Sequence, residues 1–539
     1  MNNVMSESQA GFRKGYTTVD HIFTLYAAVS KQLKQHKKLY VAFVDFQKAF
    51  DTVKRDVLWN VLLKIGIGGK MLQTLRAMYS NVLSCVRCNS DYTAFFECMQ
   101  GLKQGCLASP ILFSFLINEL ASEMILKGRH GIQLLPGEIE LFIMMFADDI
   151  ALLSVTPVGL QNQLNILHEV ANRLGLKVNK EKTKVLVFRN GGYLGKNEAW
   201  TFGHDNMYVT NSYKYLGLTL TTKVSFQRCF EDSIVRAKRG VIDIFRVLWN
   251  IGCYDLNLFF TLFDTQITPI LLYGSEMWGC FDCSNIEKVH MFACKRIIGV
   301  SPQSPNCMVY GELGRFPLSV LAATRCVKYW LRLNRLPNTR YVKMAHVMMR
   351  NMADRGTDNW SARVRNLLCE NGFGHVWTYG YVGNEKHFIK AFQQRLKDCF
   401  TQNWHSKLED SERYDTYKLF KPDFGREKYL DQIDNPYIQK VFTKLRLGVS
   451  PLMCNKQRYS ANGSHVCPLC RYPHENEHHF LFKCPVHSDI RETYLGNVFA
   501  IGQLENSSMQ ILLTQNKSRL WALSRYTFYA FRHRQQLLG

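Results

Sequence analysis

Phe146-Ala147-Asp148-Asp149 places two adjacent carboxylates between two apolar runs, residues 141–146 and 150–153. Two hydrophobic segments joined by so short an acidic bend predict a β-hairpin, which would hold both acids at its tip. Neighbouring carboxylates repel each other, so a stable ionised pair needs a cation. Taken alone, the pair is weak evidence, because many hairpin tips carry acids that are simply solvated.

A third acid stands far upstream, at the end of the apolar run Val41-Ala42-Phe43-Val44-Asp45. If this run is a strand beside the hairpin, Asp45, Asp148 and Asp149 surround one point. Carboxylates supply the oxygen ligands that magnesium prefers. The sequence therefore predicts a site for two Mg²⁺ ions, roughly 3.5–4 Å apart, of the kind that serves nucleotidyl transfer.

Short motifs flank these acids in a fixed order. They are Gln9-Ala10-Gly11-Phe12-Arg13, Val44-Asp45-Phe46-Gln47-Lys48-Ala49-Phe50-Asp51, Gly101-Leu102-Lys103-Gln104-Gly105-Cys106 with Ser109-Pro110, residues 175–184, and Tyr215-Leu216-Gly217. With the acidic pair as motif C, they resemble the Q-x-G-F-R segment and polymerase motifs A, B, D and E of reverse transcriptases, particularly those of non-LTR (LINE-like) retrotransposons. The resemblance covers residues 9 to 220 firmly and the rest loosely.

The resemblance implies roles in catalysis and sugar selection. Asp45 and Asp148 would bind metal directly, and Asp149 would complete the acidic cluster. Phe50 resembles an aromatic steric gate that clashes with a 2′-hydroxyl, which implies deoxynucleotides as substrates. Without motif A around it, Phe50 would be interpreted as a core aromatic residue.

It also implies contacts with the nucleotide and the template. Gly105 would let backbone and nucleotide approach closely, and the Gln104 amide would contact the template or the incoming nucleotide. Lys182 would protonate or neutralise the departing pyrophosphate, although the sequence alone predicts a solvated charge run there. Arg13 would contact triphosphate or template.

A cysteine and histidine cluster predicts a second metal site. Cys467, Cys470, His479 and Cys484 have the spacing C-x2-C-x8-H-x4-C, which suits one tetrahedral Zn²⁺ ion. Four protein ligands leave no open position, so a structural site is expected. The cluster resembles the small module that follows the polymerase in many LINE-like proteins. Three other histidines compete as ligands: His474, His478 and His487.

Composition indicates the partners and the compartment. The 539 residues contain 67 Lys+Arg against 44 Asp+Glu, a formal net charge of +23, which suits a nucleic-acid partner. The resemblance implies that the partners are an RNA template, a DNA primer or target, and deoxynucleoside triphosphates. Most of the 17 cysteines are scattered singly through apolar segments, as reduced thiols are, so an intracellular protein of nucleus or cytoplasm is expected. No apolar run of roughly 18 residues is evident, so no membrane partner is expected.

The expected fold class is α+β. It comprises a right-hand polymerase palm, with an antiparallel sheet and flanking helices, partial fingers, an all-α thumb and a small zinc-binding module. The expected segments are partial fingers and palm at 1–220, a helical thumb at 221–337, a helical connector at 338–450, a zinc-knuckle-like module at 451–490 and a basic helical tail at 491–539.

Three hypotheses about function stay open at this point. The first is an RNA-directed DNA polymerase that performs two-metal transfer of deoxynucleotides onto a primer 3′-hydroxyl. The second is a catalytically inactive, truncated retroelement relic that binds nucleic acid; relatives carry more fingers sequence before Gln9 and often an N-terminal endonuclease, so truncated fingers and no endonuclease are expected. The third, a polymerase that makes RNA, shares the acids but is disfavoured by Phe50.

Overall fold

A computed structural model describes residues 4–138, 140–223, 225–457, 465–496, 498, 511–512 and 514–539. The chain divides into two compact units, each assembled from non-contiguous segments. The first unit is Met1–Asp232, Glu276–Cys280 and Cys326–Val382, and the second is Ser233–Ser275, Phe281–Arg325 and Gly383–Gly539. Each unit combines stretches that are far apart in the sequence, whereas the expected segments are consecutive. The expected segment boundaries stay predictions.

Helices make up most of the described chain. In chain order they are α1 (Thr18–Lys34), α2 (Arg55–Lys64), α3 (Gly69–Met78), α4 (Ser109–Lys127), α5 (Pro157–Leu174), α6 (Gln227–Asn250), α7 (Leu256–Leu262), α8 (Thr268–Leu271), α9 (Ser275–Trp278), α10 (Ser284–Ile297), α11 (Asn306–Leu313), α12 (Leu318–Arg335), α13 (Tyr341–Asp354), α14 (Trp360–Glu370), α15 (Gly374–Tyr379), α16 (Glu385–Glu409), α17 (Asp415–Lys418), α18 (Tyr429–Gln432), α19 (Pro436–Arg446), α20 (Met453–Gln457), α21 (Ser488–Leu495) and α22 (Lys517–Leu538). Single π or 3-10 turns occupy Phe263–Ile267, Glu412–Tyr414, His479–Lys483 and Pro485–His487.

The strands lie in the first unit. They are β1 (Leu39–Val44), β2 (Leu83–Ser84), β3 (Arg87–Cys88), β4 (Asp91–Tyr92), β5 (Phe96–Glu97), β6 (Ile132–Gln133), β7 (Glu140–Leu141), β8 (Ile143–Phe146), β9 (Asp149–Ser154), β10 (Lys184–Phe188), β11 (Thr201–Phe202), β12 (Asp205–Asn206), β13 (Tyr208–Thr210), β14 (Ser212–Tyr215) and β15 (Leu218–Thr221). Together with the helices they confirm the α+β class.

The central sheet has the order β13-β10-β1-β9-β8. Its inner pairings are antiparallel, as expected, whereas β10 pairs with β13 in parallel. A parallel neighbour needs a long connection, and the chain between β10 and β13 provides one that includes the β11–β12 hairpin. This edge pairing is a difference from the purely antiparallel sheet that was expected.

Strand β1 is buried along its whole length. Tyr40, Ala42 and Val44 face a hydrophobic cluster that includes Leu116 of α4 and Leu164 of α5. The alternate residues face the opposite side, since successive side chains of a strand point to opposite faces. A continuous apolar run is typical of a strand that is covered on both faces.

Helix α4 is long and apolar enough, with a mean hydropathy of 1.3, to cross a membrane by length and composition. Its apolar side chains, such as Phe113 and Leu120, are buried in the core cluster of the first unit. Glu119 and Glu123 pair with basic side chains of neighbouring helices. The proline at the start and the helical spacing of apolar residues over 109–120 predict this helix, but no run of roughly 18 apolar residues is evident there because polar residues interrupt it.

Apolar residues recur every three or four positions over residues 230–248, a spacing that predicts a helix. Helix α6 confirms it, and its Phe230, Ala237 and Val241 are buried. Trp377 and Trp404, which alternate with basic residues in the sequence, are buried as well. In the second unit the fully buried Arg446 donates through Nε to Glu312 at 3.1 Å. A buried guanidinium needs such a partner, because desolvation of an unpaired charge is expensive.

Helix α22 lies in the segment expected to be a basic tail. It packs against α19 and α21 within the second unit, with Leu523, Tyr526 and Ala530 buried. Part of the expected tail, residues 499–510, lies outside the described residues. The helix is therefore part of the core of its unit, although its sequence is basic.

Candidate active site and metal centres

The acidic pair lies where the sequence places it. Strands β8 and β9 are antiparallel, and Phe146 pairs with Asp149 across a turn formed by Ala147 and Asp148. Ala147 has φ +59°, in the left-handed region that non-glycine residues rarely adopt. The predicted hairpin with acids at its tip is confirmed.

Strand β1 lies directly beside this hairpin. Val44 pairs with Ile150 and Phe43 with Ala151. Asp45 follows β1, and alternation along the strands places it on the same face as Asp149. The adjacency expected for the two strands is confirmed, and the three acids converge.

Burial and mutual repulsion raise the proton affinity of the pair. Burial, followed by the charges of Asp148 and Asp45, raises the pKa of Asp149 to about 6, and Lys182 opposes this rise. Burial and Asp45 also raise the pKa of Asp148, whereas Lys182 lowers it. Concentrated negative charge of this kind is stabilised by cations, and oxygen ligands suit magnesium.

Lys182 is held beside the acids by the motif D chain. The Gln47 amide donates to the Lys177 carbonyl and the Asn179 amide to the Asp45 carbonyl, both at 2.8 Å. This pairing fastens motif D to motif A and places Lys182 Nζ 3.6 Å from Asp45 Oδ2. Lys180 instead pairs with Asp205. A cleft of about 1080 Å³ runs along this pairing.

The Q-x-G-F-R segment packs against the acidic turn. The Ala10 amide donates to the Met145 carbonyl at 2.9 Å. A Cβ on Gly11 would lie 2.4 Å from the Ala147 backbone nitrogen, so this contact requires glycine. Arg13 Nη1 donates to the Ser6 and Gln9 carbonyls at 2.7 and 2.8 Å, which closes the segment on itself. Its contact with triphosphate or template stays a prediction.

A distant part of the first unit braces this segment, and sequence reasoning missed it. Arg340 Nε donates to Glu7 at 2.8 Å, and its guanidinium lies 3.4 Å from the centre of the Tyr16 ring. Arg332 donates to the buried Asp20 at 2.6 Å. No local sequence signal marks these arginines, because their partners lie more than 300 positions away.

Phe50 of motif A lies next to the motif B residues. The half-buried Phe50 ring stacks on Phe113 with centroids 4.7 Å apart. The Leu102 amide donates to the Phe50 carbonyl at 2.8 Å. Gln104 Nε2 donates to Asp51 at 3.0 Å, and no atom lies within 4 Å of a Cβ built on Gly105. The Phe50 ring is therefore fixed, while the space beside Gly105 is open.

Tyr213 is a further residue near the acids that sequence reasoning did not single out. Its ring stacks on Phe43 with centroids 4.4 Å apart. Burial, followed by the charges of Asp149 and Asp45, raises its pKa to about 12. The hydroxyl therefore stays protonated beside the acids. Its place two residues before Tyr215 of motif E was the available signal.

Comparison with known proteins identifies this part of the chain. The family described as reverse transcriptase (RNA-dependent DNA polymerase) matches residues 1–220. Residues 1–220 therefore form a reverse transcriptase domain. The probable RNA-directed DNA polymerase from transposon BS of Drosophila melanogaster is 24% identical over 303 residues, 54% of this chain and 33% of that protein.

A Pol polyprotein from type-1 retrotransposable element R2 of Popillia japonica is 25% identical over 270 residues, 49% of this chain and 42% of that protein. These relatives confirm the resemblance to reverse transcriptases of non-LTR retrotransposons. The chain spans 33% and 42% of their lengths. A solved telomerase from Candida albicans, in complex with a telomeric RNA fragment, is 14% identical with a TM-score of 0.30, covering 63% of this chain and 55% of the telomerase chain.

Beyond the reverse transcriptase domain, the second unit brings together a Cys/His cluster. The ligand atoms of Cys467, Cys470, His479 and Cys484 all lie within 4.8 Å of one another. Cys470 Sγ and His479 Nε2 are 3.3 Å apart. The three competing histidines do not belong to this cluster, which favours His479 as the fourth ligand.

The donor chemistry of this cluster fits zinc. Burial raises the pKa of Cys467 to about 12, so a cation is needed to keep the buried sulfur as a thiolate. Burial lowers the pKa of His479, which favours the neutral imidazole that binds metals. The cluster is able to hold one zinc ion in a closed site.

Hydrogen bonds fasten the cluster to α22. The Tyr526 hydroxyl donates to the Phe480 carbonyl at 2.6 Å. Buried Arg534 donates to buried Glu475 at 2.7 Å, and the same carboxylate accepts from the Met453 amide at 2.9 Å. Loss of the metal would therefore be felt in the helix packing of the second unit.

The raised pKa of Asp149 predicts a pH-dependent cost of folding without magnesium. The folded state binds the Asp149 proton more tightly than the unfolded state does. The loss of folding stability is therefore absent below the ordinary carboxyl pKa of roughly 3.9. It is complete once the pH rises above the folded pKa of about 6. Asp149→Asn should raise the free energy of unfolding by about 1 kcal/mol near pH 8, after allowance for solvent screening, and change little near pH 4.

Urea denaturation in magnesium-free buffer at the two pH values measures this difference. Glu138→Gln, a change at an exposed acid, is the control and should have no effect at either pH. An equal effect of Asp149→Asn at both pH values would contradict the burial and repulsion argument.

The Cys/His cluster predicts one equivalent of bound zinc per chain. Cys467→Ser/Cys470→Ser should lose that equivalent and lower the thermal midpoint, because metal binding stabilises only the folded site. His479→Ala should weaken zinc binding, whereas His478→Ala, one residue earlier, should keep it. Metal analysis by mass spectrometry after dialysis gives the stoichiometry. Full zinc retention in the double variant would assign the metal to other ligands.

Proposed function

We propose that this chain acts as an RNA-directed DNA polymerase of a non-LTR retrotransposon. It would add deoxynucleotides to a primer 3′-hydroxyl along an RNA template. The observation that carries the proposal is the convergence of Asp45 with the Asp148–Asp149 turn across the β1–β9 pairing. An inactive nucleic-acid-binding relic has no packing reason to keep three repelling acids together.

The acids would serve as the ligands of two Mg²⁺ ions. Asp45 and Asp148 would hold them directly, and Asp149 would complete the cluster. When bound, such ions lower the pKa of the primer hydroxyl and neutralise the phosphate oxygens. The half-buried hairpin tip keeps the carboxylates fixed in position and open to the cleft.

Lys182 would supply the proton or positive charge for the departing pyrophosphate. Its ammonium is 3.6 Å from Asp45 and its side chain is 68% exposed, so it can turn between the acid and a ligand in the cleft. The motif D pairing supports this role, because it holds the Lys182 backbone next to motif A. Lys180 is less suited, since it is paired with Asp205.

Phe50, Gln104 and Gly105 would form the nucleotide pocket. The Phe113 stack keeps the Phe50 ring in place, which a steric gate against a 2′-hydroxyl requires. The open space beside Gly105 suits a close-lying nucleotide. Gln104 would exchange its bond to Asp51 for one to the template or nucleotide, and Arg13 would contact triphosphate or template.

The finer organisation follows the same proposal. The segment 1–220 would contain partial fingers and a palm, 221–337 the thumb, 338–450 a connector, 451–490 the zinc module and 491–539 a helical tail. RNA template and DNA primer or target would be attracted by the net charge of +23. The cysteines form no disulfide in the described part of the chain, which fits a reduced compartment, in the nucleus or the cytoplasm.

Asp148→Ala should abolish primer extension. Loss of a metal ligand removes several kcal/mol of charge stabilisation, which is at least roughly a hundredfold in rate. Extension of a DNA primer on a poly-ribonucleotide template with Mg²⁺ measures it, and Glu138→Ala is the control. Wild-type protein that binds nucleic acid without extending the primer would favour the relic.

Phe50→Ala should increase ribonucleotide incorporation relative to deoxynucleotides by roughly tenfold or more, because removal of the ring opens space for the 2′-hydroxyl. Phe50→Tyr keeps a ring of similar width and should keep the discrimination. Single-nucleotide kcat/KM values for a matched nucleotide pair give the ratio. Unchanged sugar selectivity in Phe50→Ala would remove the gate assignment.

A further inference from the structure

An irregular β-ribbon leaves the core between α3 and motif B. Its base is the pairing of β2 with β5, and its tip is the pairing of β3 with β4. Between them the Thr93 amide donates to the Val86 carbonyl at 2.9 Å, so the two halves are continuous. We refer to residues 83–97 as the 83–97 ribbon.

The ribbon exposes an unusual amount of aromatic surface. Tyr92, Phe95 and Phe96 are 65%, 71% and 50% exposed. Leu83 and Val86 are exposed as well. Isolated exposed apolar residues are ordinary, but a run of large rings on one short ribbon indicates an interaction surface.

The ribbon is continuous with the candidate active site. A cleft of about 750 Å³ is lined by Leu83 and Glu97 of the ribbon and by Asp51 and Gln104. The Leu102 amide donates to the Phe50 carbonyl at 2.8 Å, so the chain that leaves the ribbon is bonded to motif A. A ligand on the rings would therefore lead directly towards the nucleotide pocket.

The chemistry of the ribbon fits nucleobases better than phosphates. Its charged residues, Arg87, Asp91 and Glu97, give no excess of positive charge. Duplex nucleic acid presents mainly phosphates, whereas an unpaired strand presents base faces that stack on aromatic rings. Arg87 already lies 6.0 Å from the centre of the Tyr92 ring, a cation–aromatic pair that can extend such a stack.

We propose that the 83–97 ribbon is a stacking surface for the unpaired RNA template as it approaches the acidic cluster. This inference rests on the proposed polymerase function. The rings of Tyr92, Phe95 and Phe96 hold template bases, and the adjoining cleft passes the strand to Gln104. Protein partners and a second copy of this chain are the alternatives that the experiment separates.

Fluorescence anisotropy with a labelled, unstructured single-stranded oligoribonucleotide measures the contact without magnesium or nucleotides. Tyr92→Ala, Phe95→Ala and Phe96→Ala should each weaken binding by roughly fivefold or more, as loss of a base stack does. Tyr92→Phe should keep the affinity, and Tyr92→Leu should lose it, because stacking needs a ring rather than an apolar side chain. Tyr193→Ala removes a ring that is 98% exposed elsewhere in the first unit, and it should bind like wild type.

The three ring variants should also extend a primer normally on a template with a very short overhang and poorly on one with a long overhang. Wild-type protein that extends no primer but shows the predicted anisotropy pattern would overturn the polymerase function and leave the ribbon assignment standing. Ring variants that bind the oligoribonucleotide like wild type would overturn the ribbon assignment. So would self-association of the wild type in sedimentation that the ring variants abolish.

Discussion

The reverse transcriptase domain depends on the forced proximity of three carboxylates. Burial and mutual repulsion raise the pKa of Asp148 and Asp149, so this arrangement is unfavourable by itself at neutral pH. The ladder between β1 and β9 holds it in place, with Val44 paired to Ile150 directly beside the acids. A shift of this register by one residue would turn Asp45 to the opposite face of the sheet.

Other parts of the first unit protect this register. The Met145 carbonyl accepts from the Ala10 amide at 2.9 Å, and the Met145 amide donates to the Ser8 carbonyl at 2.8 Å. Gly11 allows the backbone to reach the strained turn at Ala147. Arg340, which is distant in the sequence, also stabilises the segment through its bond to Glu7. The acidic turn is therefore supported from three directions: by β1, by the Q-x-G-F-R segment and by Arg340, which the expected segments assign to the connector.

Sequence reasoning reached the features that leave a local pattern. The Asp148–Asp149 hairpin follows from two apolar runs around an acidic bend, and helix α6 from its spacing of apolar residues. The spacing of Cys467, Cys470 and Cys484 marked the metal cluster, but only three-dimensional packing separates His479 from its neighbours. The parallel β13 edge and the Arg340 brace depend on long-range packing, which no short window contains. The spacing of apolar residues also could not show that the rings of the 83–97 ribbon stay exposed, because exposure depends on how the rest of the chain packs around them.

The two candidate metal centres would have opposite physical requirements. The acidic cluster is half-buried at a hairpin tip, as the proposed polymerase function requires, because its ligands would have to be fixed and yet reachable by a substrate that carries its own phosphate charges. The Cys/His cluster buries Cys467, His479 and Cys484 almost completely, because a structural metal gains most when water is excluded and all four positions belong to the protein. Hard oxygen ligands and soft, buried sulfur ligands would also select different ions. Weak, exchangeable binding would therefore suit the cleft of the first unit, and tight binding would suit the core of the second.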